Sequence, residues 1–102
     1  MVKKITKRQS DSEKIPEEYP IIKRFFFAVY MLISEGRVPD FKNFCKANEI
    51  ESRNLERLIK EPHRQFNPKY LTILVKKYDL SAHWLLTGEG EIKTKHPTDV
   101  VK

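Results

Sequence analysis

A chain of 102 residues has room for one domain with a modest core. Its 20 lysines and arginines against 14 aspartates and glutamates give a net charge of +6, a sign that favours a polyanionic partner such as nucleic acid or an acidic surface. A single cysteine excludes an internal disulfide and suits a reducing, cytoplasmic setting, and three glycines leave no glycine-rich phosphate loop.

Residues 1–19 (MVKKITKRQSDSEKIPEEY) are polar, contain Pro16 and show no apolar period, which predicts a tail. Such a tail is either a basic arm reaching for phosphates or a solvated extension. From Pro20 the pattern turns helical, with Ile22, Phe26, Val29 and Ile33 repeating on one face. Phe25, Tyr30, Met31 and Leu32 widen that stripe almost all the way round, so the helix must be covered on nearly every side. The apolar excess of Phe25, Phe27, Tyr30 and Met31 is explained either by a homodimer contact or by cover from the last helix and a long loop. The longest apolar run, Phe25 to Ile33, is nine residues, about half of a membrane span. Gly36 is placed to end this first helix.

Pro39-Asp40 opens a short second helix with Asp40 as N-cap, its inner face Phe41, Phe44 and Cys45 and its outer face Lys42 and Lys46. Asn48 tolerates left-handed backbone and is expected to close it. Ile50 is an apolar plug, and Glu51 or Ser52 caps a third helix with the narrow apolar edge Leu55, Leu58 and Ile59. Glu61-Pro62 stops it, because the residue before proline is driven out of helical geometry. Asn67-Pro68 starts a fourth helix carrying Leu71, Leu74, Val75 and Tyr78. Ser81 caps a fifth, with Trp84, Leu85 and Leu86 inside and Gly88 at its end. Residues 92–102 read as a second tail, and the whole as an all-α domain over 20–91.

Two helices joined by a tight turn, the second edged with polar side chains, make a helix-turn-helix. A major groove about 12 Å wide admits one helix with its side chains. Ser52, Arg53, Asn54 and Arg57 lie opposite the apolar edge of the third helix and are the base-reading candidates. Arginine offers two parallel donors to guanine O6 and N7, and asparagine pairs with adenine N6 and N7. Residues 49–61 hold four acids and three bases, a sum of −1, so phosphate affinity must come from elsewhere. Lys42, Lys46, Arg64 and Lys69 are the candidates.

The stretch KKYDLSAHWLLTGEG, residues 76–90, resembles the closing "lgvs-dWLLtGeG" signature of the lambda-repressor-like, or Xre-type, helix-turn-helix family. The resemblance covers about residues 20–91. It implies a compact five-helix domain with the reading pair at helices two and three, binding double-stranded DNA as a small, phage-repressor-like transcriptional regulator, commonly as a dimer. By position, Phe41 starts the motif, Cys45 replaces its small alanine and Leu55 takes its buried aliphatic. The family's base-reading positions then fall on Ser52, Arg53 and Asn54, with Arg57 one turn on. The chain departs from the family at Glu49, which stands where the turn glycine usually is, and in the long EPHRQFNP loop. The alternative on the same fold is a protein-binding adaptor or antitoxin-like module. His63, His83 and His96 share no metal-ligand spacing and Cys45 has no evident base beside it, so neither an enzyme nor a cofactor is expected.

Overall fold

The structure is a computed structural model and describes residues 13–93. The described residues are all-α in character, with five helices: α1 (Pro20–Ser34), α2 (Phe41–Ala47), α3 (Ser52–Lys60), α4 (Lys69–Tyr78) and α5 (Ala82–Thr87). Extended pairing among them is limited to an isolated antiparallel bridge between Leu80 and Lys93. No helix among the described residues is long and apolar enough to cross a membrane. The chain divides into two compact units, residues 1–66 and 67–102.

In the first unit α1 packs on α2, and α2 on α3. Its centre is aromatic. Phe25 meets Phe26, Phe44 and Phe66 edge to face at centroid distances of 5.3, 6.4 and 5.4 Å. Phe41 stacks on Phe26 at 6.2 Å and on Tyr30 at 5.6 Å. Offset and edge-on rings of this kind add to the energy of burial itself. Two of the four residues assigned to a dimer surface therefore need correcting. Phe25 and Tyr30 are 0% and 2% exposed inside their own chain, because Phe41, Phe44 and the loop residue Phe66 cover them. Phe27, at 51% exposure, and the half-buried Met31 remain at the surface.

Residues 13–19, read from sequence as part of a tail, carry one core side chain: Ile15 is 1% exposed. The rest of that proposed tail, residues 1–12, lies outside the described residues, as do residues 94–102 of the second.

Gly36 closes α1 with φ +78°, its N–H donating to the Ile33 carbonyl at 3.0 Å while Arg37 N–H reaches back to Leu32 at 2.9 Å. That pair of bonds is a Schellman motif, which needs a left-handed residue just past the helix.

In the second unit, Asn67 Oδ1 accepts from Lys69 N–H at 3.0 Å and Pro68 occupies the cap, so α4 begins one residue later than expected. α4 stops at the left-handed Asp79 (φ +58°). Ser81 Oγ accepts from Trp84 N–H at 3.1 Å to open α5, and Gly88 (φ +80°) ends it. Leu74, Leu80 and Leu85 are fully buried. Residues 92 and 93 fold back on this unit: Ser81 N–H donates to the Ile92 carbonyl at 2.8 Å, beside the Leu80–Lys93 bridge.

Candidate nucleic-acid interface

The site is built by the turn between α2 and α3. Asp40 starts α2, its Oδ1 accepting from Asn43 N–H at 2.8 Å. At the other end the side-chain amide of Asn48, itself buried, donates to the Phe44 carbonyl at 2.8 Å. Asn48 keeps φ −112°, and the left-handed residue is the next one, Glu49, at φ +57°. This corrects the expectation that Asn48 supplies the left-handed geometry. Its side chain is already committed to the last helical turn, so the reversal falls one residue later.

The hydrogen bonds around Glu49 repeat the Gly36 motif. Glu49 N–H donates to Lys46 O at 3.3 Å, and Ile50 N–H to Cys45 O at 2.8 Å. Ile50 and Cys45, the two positions whose apolar contact commonly accompanies this cap, are both buried. A glutamate thus occupies a position that suits glycine, held there by two backbone bonds and an apolar plug.

α3 follows at once, with Glu51 as a cap residue that makes no side-chain bond to the helix. Leu55 (0% exposed) and Leu58 (3%) fix its inner edge. Arg53, Asn54 and Arg57 are exposed, and Ser52 is half-buried at the start. At 3.6 residues per turn, Arg53, Arg57 and Lys60 fall within an arc of about 60°. Lys60 is also exposed and belongs to this strip, although the sequence reading did not include it. Its i+7 spacing from Arg53 was the available signal.

The acids that make the local sum negative lie off that arc. Glu49 and Glu51 sit in the turn and at the cap, Glu56 is half-buried, and Glu61 closes the helix. The strip itself therefore carries three positive charges in succession.

Lys42 and Lys46 are exposed on α2 and, with Asn43, border an open depression whose α3 side is Glu51 and Ser52. Two of the four phosphate candidates thus adjoin the proposed reading helix. Arg64 lies just past α3 in the same unit, and its Nε donates to Glu61 Oε1. That hydrogen bond and the guanidinium charge hold the Glu61 carboxyl below the ordinary carboxylate range, with smaller contributions from His63 and Arg57. Lys69 belongs to the second unit, where it opens α4 and is exposed.

Among the described residues no group of three or more histidine, cysteine or acidic side chains is placed to hold a metal. Cys45 is buried, its thiol part of the α2 inner face. No protein-family model matches this chain, nor does any curated protein or solved structure.

Proposed function

We propose that the protein binds double-stranded DNA sequence-specifically through a helix-turn-helix, as a small transcriptional regulator of the lambda-repressor-like, Xre type. In this reading α2 braces across the phosphate backbone and α3 enters the major groove. Arg53 and Asn54 at the front of α3 read base edges, Arg57 reads one turn further on, and Ser52 contributes its hydroxyl. Lys42 and Lys46 contact phosphates from the brace and Arg64 does so just past α3, while Lys69, on the second unit, is a separate phosphate candidate. The protein acts as a cytoplasmic binding module without catalysis, cofactor or membrane.

The observation that carries this reading is the pairing of a seven-residue helix with a second helix whose exposed arc is Arg53, Arg57 and Lys60. These three charges share one side of a helix whose other side is anchored by Leu55 and Leu58, with Glu56 and Glu61 flanking them along the chain. Selection from random duplex DNA tests the reading, since it reports affinity, sequence and half-site symmetry together. Arg53→Ala is expected to relax base preference at one position, at a cost of about 1–3 kcal/mol for the preferred base. Lys42→Ala is expected to weaken all sequences alike and to flatten the log–log salt slope by about 0.9. Enrichment of no sequence, with affinity unaffected by both changes, refutes it.

A protein-binding role on the same fold is favoured by one observation, the exposed Phe27 beside half-buried Met31 on α1. Such a spot suits a second copy of the chain or a different protein. Salt-insensitive capture of one protein, without duplex binding, would establish the adaptor or antitoxin-like alternative.

A further inference from the structure

We infer that Glu61 is a built-in competitor for a phosphate site at the C-terminal end of α3, occupying Arg64 until a nucleic-acid phosphate displaces it. The inference rests on the DNA-binding reading and adds a means of setting its strength.

The geometry is local and compact. Glu61 closes α3, its N–H donating to Arg57 O at 2.8 Å, and Arg64 N–H donates to Glu61 O at 3.0 Å. One short turn of chain, stiffened by Pro62, thus carries the acid and the base that pairs with it. Arg57 on the last turn of α3 and His63 in the loop both act on the same carboxylate. Arg64 is therefore the side chain bonded to this carboxylate, at the end of the strip formed by Arg53, Arg57 and Lys60.

A carboxylate and a phosphodiester offer a guanidinium the same thing, oxygens spaced to accept its N–H donors. The side chains of Arg64 and Glu61 are 48% and 45% exposed, so the pair meets solvent and can be exchanged. Exposed pairs of this kind are weak, which makes displacement by a row of phosphates feasible while still subtracting from affinity. A phosphate reaching this turn would inherit Arg64.

The test is a double-mutant cycle by fluorescence anisotropy on a labelled duplex, read across a salt series. Glu61→Gln is expected to tighten binding by about threefold and to steepen the log–log slope by up to about 0.9, the increment for one further phosphate. Glu18→Gln, which removes the same charge at an exposed position outside the candidate interface, is expected to give a smaller gain and no change of slope. In an Arg64→Gln background, Glu61→Gln is expected to lose its advantage over Glu18→Gln. A Glu61→Gln gain that merely equals that of Glu18→Gln, or that survives Arg64→Gln, overturns the inference while wild-type binding keeps the DNA reading intact. Absence of salt-sensitive duplex binding by wild type and Glu61→Gln alike overturns both.

Discussion

Glu49→Gly is expected to stabilise the protein. At φ +57° the glutamate Cβ crowds its own carbonyl, a cost of about 1–2 kcal/mol for a residue with a side chain. Glycine removes that cost but loses more backbone freedom on folding, about 0.5–1 kcal/mol. The difference leaves a net gain of about 0.5–1 kcal/mol. For a domain of this size the gain corresponds to a rise in Tm of about 3–6 °C. Urea denaturation followed by far-UV circular dichroism measures it, with the m-value unchanged if only the folded turn is affected. Glu49→Ala separates the backbone from the charge: it deletes the carboxylate but keeps Cβ, and should gain little. If alanine stabilises as much as glycine, or if glycine destabilises, the argument from left-handed strain is wrong.

Leu55→Ala, at a fully buried position on the inner edge of α3, should cost about 2–5 kcal/mol in the same denaturation assay; a loss below about 1 kcal/mol would mean that α3 is not anchored there. Asp40→Ala removes the cap bond to Asn43 N–H and should cost about 1 kcal/mol, whereas Asp40→Asn should recover most of it. The Glu61 carboxyl should titrate below a free glutamate in an NMR pH series, and Arg64→Gln should return it toward the ordinary range. Since folding lowers this pKa, the contribution to stability is present above the unfolded-state value and fades as pH falls through the folded one. A Glu61 titration unchanged by Arg64→Gln would remove the hydrogen bond as its cause.

Much of the helical organisation was legible from chain chemistry. Pro39-Asp40 and Ser81 announced their helices because the capping side chain is in the sequence itself, and Leu71, Leu74 and Tyr78 carried the period of α4. What failed were features decided at a distance. Ile15 is a lone apolar residue in a polar run, and no local pattern distinguishes one that is buried from one that is not. Of the two explanations for the apolar excess, cover by the long loop holds at Phe25, where Phe66 sits, while the sequence does not say that Phe41 stacks on Tyr30. Asn48 and Glu49 were interchanged because propensity favours asparagine in left-handed geometry, while hydrogen bonding had already claimed its amide. At the candidate interface the exposed residues of α3 could be read from helical phase against Leu55 and Leu58. The sum over residues 49–61 does not describe the arc of α3, since adding charges along a chain discards the direction in which each one points. The Glu61–Arg64 pair crosses a proline at the end of a helix, where helical spacing rules no longer apply.

Residues 49–61 total −1, so beyond one screening length, about 8 Å at physiological ionic strength, this segment exerts almost no pull on an approaching polyanion. Only at closer range does the Arg53–Arg57–Lys60 arc resolve as a separate positive strip. In the proposed DNA-binding reading, guidance from afar would fall to the other cations of a chain with net charge +6, and α3 would come into play only after arrival. Substitutions on its arc should therefore change how long a bound polyanion stays far more than how fast it comes.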